Sequence, residues 1–369
     1  MGGVVYTKLP PVMAAIKDGD IEALRDLLDA GHAPDEPQRY LWQCGNRERE
    51  GEAAPLELAV LEQRQDMAGL LISRGADISR CGDELLYASL RGALYGGQAS
   101  LSMFAFLIDA GARISAKQDS VSRLFLHLEN YRSADILPLL DRLGMNLEKF
   151  GGEPLRAVAS SGNRMLAEYL LDNGADINYH KPDMVFPYAS TPVTEAARCG
   201  DLEMVRFLVE RGADVTIADK YGDRPYTLAV QSKNQEMADY VRALEPEDWH
   251  NEQEKARQLK PYKLPAAMTE YLKTGPLRLE FPEYELTKWA ELYSYMDVQE
   301  TVWKRRKLLS IMTRLDNYDG YMLLWSPKDK CLWYLDEEHE EFHPLAAWND
   351  FIASPGRYLN GMIEGEFEE

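Results

Sequence analysis

The sequence predicts a mainly α chain in two parts: a solenoid of stacked helix pairs, then a small α+β domain. Three observations predict it. A glycine-centred pattern recurs through the first two thirds of the 369 residues. Apolar residues between its recurrences fall at helical spacing. Beyond residue 262 the pattern stops, apolar residues alternate as in strands, and tryptophan becomes common, six of the seven lying at or after Trp249.

The recurrence is the strongest of the three. Gly174-Ala175-Asp176-Ile177 returns as Gly212-Ala213-Asp214-Val215 and as Gly75-Ala76-Asp77-Ile78. Weaker copies begin at Gly111, Gly31 and Gly144, and the spacings scatter about 33 residues with insertions. A second marker precedes the well-formed glycines by about twenty residues: Thr191-Pro192-Val193-Thr194-Glu195-Ala196, Glu153-Pro154-Leu155 and Ala54-Pro55-Leu56. Arg224-Pro225-Tyr226-Thr227-Leu228-Ala229 keeps the same step.

Each part of the unit has a physical role. The Thr191 hydroxyl caps a helix start. Pro192 suits the first turn, where its missing N–H is not needed. Ala196 and Ala197 let neighbouring helices approach closely. Gly200-Asp201 turns the chain, and Leu202, Val205, Leu208 and Val209 form one apolar face. Gly212 ends the second helix in the left-handed region, where a Cβ is penalised. Asp214 opens the turn towards the next unit.

This unit resembles the ankyrin repeat over about residues 8–246, with six units and a helical seventh near 224–244. The resemblance implies a protein-binding solenoid without catalytic machinery of its own. Residues 83–147 hold two degenerate units that rest mainly on spacing.

The insertions are the candidate binding elements. One, at 33–53, carries Tyr40, Trp42 and the run Arg47-Glu48-Arg49-Glu50. Another, at 178–190, carries Tyr179, His180, Phe186 and Tyr188. Both fall where the tips between units belong, and exposed aromatics are enriched at binding hot spots. The plainer reading is that these rings fold back over repeat edges. A third insertion, Gly92 to Ser100, is expected only to lengthen a turn.

A polar stretch, 247–261, reads as a linker, partly helical. After it, 264–272 reads as a short helix and 277–281 as a strand. Residues 285–312 are expected to be mostly helical, with Lys304-Arg305-Arg306-Lys307 on a solvated helix face. Tyr321–Trp325 and Cys331–Leu335 read as a hairpin, Glu341-Phe342 as a short strand, and 345–353 as a closing helix. Leu264-Pro265, Asp319-Gly320-Tyr321-Met322-Leu323-Leu324-Trp325, Trp333-Tyr334-Leu335-Asp336 and Ala347-Trp348-Asn349-Asp350-Phe351-Ile352 follow one another in an order that resembles the SUKH superfamily. That resemblance, over 262–369, implies an α+β fold and a role among bacterial toxin immunity proteins.

Charge and composition narrow the function classes. The net charge of −20 opposes non-specific nucleic-acid binding and docking on an anionic membrane. No apolar run approaches the ~20 residues that span a bilayer. The N-terminus lacks a signal-peptide core, and Tyr6 stands where a myristoylation motif at Gly2 wants Ser or Thr. Cys44, Cys81, Cys199 and Cys331 are dispersed, which favours reduced thiols in a cytoplasm. Residues 336–369 hold ten acids against one base, Arg357, a field that suits association with a basic protein.

No catalytic constellation, cofactor motif or metal site is expected. His339 and His343 are four apart, but Pro344 argues against the helix that would align them. Asp316 to Gly320 lacks the spacing of a calcium loop. The expectation is therefore a monomeric, non-enzymatic, cytoplasmic immunity protein that neutralises a cognate toxin, a basic nuclease being one candidate. Tyr40, Trp42, Tyr179, His180, Phe186, Tyr188, Asp336, Glu337 and Glu338 are the expected contact residues. The alternative is an ankyrin scaffold that assembles a cellular complex.

Overall fold

The computed structural model describes residues 5–44, 47–95, 101–318 and 320–367. Gly2, part of the Gly92–Ser100 insertion, Asp319, and the terminal Glu368 and Glu369 lie outside them. The chain divides into two compact units, Met1–Asp176 and Ile177–Glu369.

The first unit opens with β1 (Val5–Lys8), α1 (Pro11–Asp18) and α2 (Ile21–Asp29). Then come β2 (Gln38–Cys44) and β3 (Arg47–Ala53). Helices α3 (Pro55–Leu61), α4 (Gln65–Ser73), α5 (Glu84–Tyr95) and α6 (Ser102–Asp109) follow. The unit ends with α7 (Gln118–Leu128), α8 (Leu137–Arg142), α9 (Leu147–Phe150), α10 (Gly152–Ser160) and α11 (Arg164–Asp172). One row of helices stacks in sequence, α1 on α3, α3 on α5, α5 on α7 and α7 on α10. A second row holds α2 against α4 and α6 against α8.

The degenerate units thus keep the helix-pair plan. Gly31 and Gly144, the two weakest markers, have φ of +94° and +64°. Asn163 shows how such pairs are joined. It is fully buried. Its Oδ1 caps α11 by accepting from Leu166 N at 3.2 Å. Its Nδ2 donates to the carbonyls of Glu129 (3.1 Å) and Tyr131 (2.7 Å) in the preceding turn. Buried carbonyls of that turn gain the partners they require.

The 33–53 insertion is a hairpin, and β1 completes a three-stranded antiparallel sheet in the order β1-β2-β3. Within it Arg39, Tyr40, Leu41 and Trp42 pair with Glu52, Gly51, Glu50 and Arg49.

The second unit begins with two helix pairs, α12 (Pro192–Arg198) with α13 (Leu202–Glu210) and α14 (Pro225–Gln231) with α15 (Gln235–Arg242). Thr191 Oγ1 accepts from Thr194 N (3.2 Å), and Asp201 and Asn234 cap α13 and α15. Gly212 has φ +98°, closing α13 as its position requires. Residues 247–261 form a 3-10 turn, Glu247–His250, then α16 (Glu252–Leu259). Leu259 and Lys255 of that helix are buried.

Next come α17 (Ala266–Thr274), β4 (Arg278–Glu280), β5 (Trp289–Leu292), β6 (Gln299–Trp303), β7 (Arg306–Ser310) and β8 (Met312–Leu315). The chain continues through β9 (Tyr321–Ser326), β10 (Cys331–Asp336), β11 (Glu341–Ala346), α18 (Trp348–Ala353) and α19 (Pro355–Ile363). The strands form a five-stranded sheet, β11-β10-β9-β7-β6, and a three-stranded one, β4-β5-β8.

The helical expectation for 285–312 is corrected: that stretch supplies strands β5, β6 and β7 and the start of β8. Gln299 to Trp303 alternates buried and exposed, the period of a strand. Lys304 and Arg305 are the turn between β6 and β7, with φ of +44° and +69°, and so lie on no helix face. The closing helix is likewise joined by α19, so the chain beyond Ser354 is an element rather than a tail through Ile363.

The five-stranded sheet is apolar on both faces. Leu323, Trp325, Leu332 and Tyr334 join the main core with Met268, Leu272 and Phe351. Trp303, Leu308, Leu324 and Leu335 form a second cluster on the other face, and Tyr221 from the last repeat's loop packs against it. Polar ties run beside that contact. Tyr226 OH donates to Asp297 (3.0 Å), Lys233 Nζ to Glu291 (2.5 Å), and Gln231 to the buried Tyr293 hydroxyl.

Candidate protein-binding surface

The 178–190 loop is built around a turn. Pro182 precedes Asp183, whose Oδ1 accepts from Val185 N (2.8 Å) and Phe186 N (2.7 Å). Such a side-chain bond mimics a backbone turn. Phe186 folds under it, 7% exposed, edge-on to Tyr188 with centroids 6.2 Å apart. Met184 and Val185 consequently stand outward, 101% and 64% exposed.

Two bonds hold the loop to the next one. Asp214 N donates to Asn178 Oδ1 (2.9 Å), and Lys220 N donates to Tyr188 O (2.8 Å). Tyr179 is half-buried, and exposed His180 contacts Asn178 O through Nδ1 at 2.8 Å. The rings expected as contacts therefore divide. Phe186 and Tyr188 support the tip, and His180 is exposed. The outward apolar residues, Met184 and Val185, are not among the aromatic residues expected as contacts. A signal for them exists: an apolar pair directly after Pro182-Asp183.

Behind the tip lies a charged cluster centred on Arg198. Its guanidinium contacts Glu195 at 3.2 Å, Asp219 at 3.0 Å and Asp223 at 3.5 Å. Its face lies 4.8 Å from the centroid of the Tyr188 ring. The Asp219 carboxylate is wholly buried, and it accepts the N–H groups of Tyr221 and Asp223, each at 2.9 Å. Burial, then the nearby Asp223 charge, holds its carboxyl well above the usual range.

Glu337, just after β10, adds a further acid to this cluster. Burial pushes its carboxyl up to about 7, reinforced by Asp223 and Asp219 and opposed by Arg198 and Lys220. Its neighbours differ. Asp336 is buried and accepts from Glu338 N (2.9 Å) and His339 N (3.1 Å), which makes it the brace of the β10–β11 turn. Glu338 is exposed. Within the second unit, then, the 178–190 loop and Glu337 converge on Arg198.

Tyr40 and Trp42 belong to the first unit, on one face of β2. The Tyr6 ring packs at a tilt on Tyr40, centroids 5.7 Å apart, and Arg49 lies 5.7 Å from Trp42. Opposite Tyr40, a Cβ on Gly51 would meet the ring at 2.6 Å, so glycine leaves the tyrosine room to lie across the neighbouring strand. Both rings are half-buried. Among the described residues no group of three or more metal-ligating side chains is gathered, and no helix is long and apolar enough to cross a membrane.

Comparison with known proteins bears on the repeats. A family profile, ankyrin repeats, matches residues 155–248 in three copies. Cyclin-dependent kinase 4 inhibitor B of Bos taurus is 34% identical over 97 residues, 26% of this chain and 70% of that protein. Its counterpart in Mus musculus is 33% identical over 97 residues, 26% of this chain and 71% of that protein. A putative ankyrin repeat protein of Rickettsia bellii is 28% identical over 155 residues, 41% of this chain and 83% of that protein.

Proposed function

The chain belongs to the ankyrin-repeat family, and from that premise we propose that it is an immunity protein, binding and neutralising a cognate bacterial toxin in a stoichiometric complex. Repeat solenoids present extended surfaces for protein partners. The observation that carries the reading is the tip of the 178–190 loop. Met184 and Val185 are held outward on a backbone fixed by Asp183 and the buried Phe186, so little backbone entropy remains to be lost on binding. The net charge of −20 selects a basic partner and speeds its approach. The names of the kinase-inhibitor relatives support an inhibitory mode of binding.

On this reading the repeats span 8–246, the segment 247–261 joins them to the rest, and 262–369 is a SUKH-like domain. Support for the last comes from the β9–β10 hairpin, the acidic turn after Asp336 and helix α18, in the order that resemblance requires. The contact residues are Tyr179, His180, Tyr188 and Glu338 with Met184 and Val185 in the second unit, and Tyr40 and Trp42 in the first.

The test is affinity purification of the tagged full chain from its native cells at low and moderate salt. One stoichiometric partner with a basic, enzyme-like domain is expected. Met184→Asp with Val185→Asp should weaken that partner's binding by about 30-fold or more, the scale of a lost hot spot. Several substoichiometric housekeeping proteins, unaffected by the double variant, would replace this reading with a general scaffold.

A further inference from the structure

We propose that one end of the five-stranded sheet docks a short acidic segment of a partner protein. The inference is independent of the toxin reading: Glu337 and the acids gathered with it stand at the opposite end of that sheet, where Asp336 pairs with Tyr321.

Three segments converge at the end in question. β7 is antiparallel to β6 and to β9, with Trp303 opposite Arg306 and Leu309 opposite Trp325. The β6–β7 turn and the β9–β10 turn therefore lie side by side, and Arg306 reaches Asp329 across them at 3.6 Å. The 3-10 turn Lys260–Tyr262 joins them. Trp325, next to last in β9, donates from Nε1 to Tyr262 O at 2.8 Å.

These segments are basic in a chain whose net charge is −20. The first brings Lys304, Arg305, Arg306 and Lys307, and the second brings Lys328 and Lys330. Lys260 and Lys263 come from the third. All eight cations are exposed, and Asp329 is the one acid within the three segments. Asp329 is shared between Arg306 and the Ser326 hydroxyl, which donates to it at 2.8 Å. The other seven cations make no ion pair among the described residues.

Rings hold two of the cations in place. Lys304 Nζ is 5.2 Å from the centroid of the Trp303 ring, and Arg306 lies 4.8 Å from that of Trp333 and 5.6 Å from that of Phe342. A ring positions a cation without cancelling its charge. Val302, 54% exposed, pairs with Lys307 across the hairpin and adds an apolar spot.

The size of the patch selects its occupant. From β6 to β10 the sheet is three strand spacings wide, about 14 Å. Exposed charges act over about 8–10 Å at physiological salt. Beyond the patch the chain is acidic, and the same sheet carries Glu337, Glu338, Glu340 and Glu341 at its far end. A nucleic-acid strand or a membrane would carry its negative charge onto that surround. A run of a few Asp or Glu residues ends where the cations end, and an apolar residue beside the run would meet Val302.

The experiment is fluorescence anisotropy of the full chain with a labelled leucine–hexaglutamate peptide and with a labelled hexathymidylate. Saturable one-to-one binding of the peptide is expected, weakening as salt rises. Lys307→Glu with Lys328→Glu should weaken it by about tenfold or more. Lys8→Glu with Lys117→Glu alters two exposed lysines of the first unit and changes the net charge equally. That pair should leave the affinity within about twofold. The hexathymidylate should bind more weakly than the peptide by about tenfold. Absence of saturable peptide binding, equal losses from the two variants, or hexathymidylate binding as tight as the peptide's overturns the proposal. Acetylation of the unaltered chain gives a check that needs no variant. The peptide should slow reaction at Lys307 and Lys328 several-fold relative to Lys8, and equal slowing at all three overturns the site.

Discussion

Gly222 meets two constraints at a single position. Its φ is +94°, and a Cβ there would stand 2.6 Å from Glu300 O. The carbonyl belongs to β6, so this glycine sets how closely the last repeat's loop approaches the sheet. Gly200, with φ +74° and nothing within 4 Å of where a Cβ would stand, meets only the first constraint. The pair separates the two effects. Gly200→Ala should cost about 1 kcal/mol, the left-handed penalty alone. Gly222→Ala should cost about 3 kcal/mol, since the backbone carbonyl cannot move aside like a flexible side chain. Urea denaturation followed through tryptophan fluorescence measures both, and equal losses would remove the argument for a close approach. Gly200 is legible in the sequence because its role repeats from unit to unit. Gly222 is not, because its reason is a carbonyl far along the chain.

At the scale of elements, what repeats is readable and what occurs once is not. The helix pairs announce themselves by caps, glycines and period, even where only spacing survives. The strands of 289–315 carry no such redundancy. Lys304-Arg305 is a poor turn by composition, since tight hairpins favour Asn-Gly or Gly at positive φ. A basic run beside Leu308 and Leu309 therefore resembles a helix face. The apolar pair at the 178–190 tip is hidden for a related reason. Aromatic rings are the natural candidates for contact, whereas burial of Phe186 is what turns Met184 and Val185 outward. The β6–β7 turn gives its own prediction. Arg305 has φ +69°, and its neighbour Lys304, 5.2 Å from the Trp303 ring, should be kept. Arg305→Gly should stabilise the second unit by roughly 0.5–1 kcal/mol, while Arg305→Val should destabilise it by about 1 kcal/mol or more. Opposite signs in the denaturation midpoints are the check, and a loss with glycine would contradict the turn assignment.

For the molecule as a whole, acidity is the dominant physical property, and the cluster around Arg198 is where it bears on folding. Glu337 titrates near 7 in the folded chain against an ordinary 4.5. Between those values the native state holds a proton that the unfolded state has released. Stability therefore declines as pH rises through that window and levels off above it. Asp219, raised for the same reason of burial, acts in the same direction. Lys255 acts oppositely and later: its amine is lowered, so its contribution grows between about 8 and 10.5. Glu337→Gln removes the charge while keeping the shape. The variant should match the unaltered chain below about pH 4.5 and exceed it by about 3 kcal/mol at pH 8. Parallel stability curves from acid to pH 8 would show that Glu337 is not desolvated. The same reasoning reaches the partner. At neutral pH the cluster beneath the Met184–Val185 tip holds more acid than Arg198 and Lys220 offset, so a cation delivered by a bound protein would relieve it. Binding of a basic partner should then raise the stability of the unaltered chain more at pH 8 than at pH 5, and Glu337→Gln should shrink that difference. Thermal unfolding of the complex at the two pH values measures it, and a gain independent of pH would place the partner's charge elsewhere on the surface.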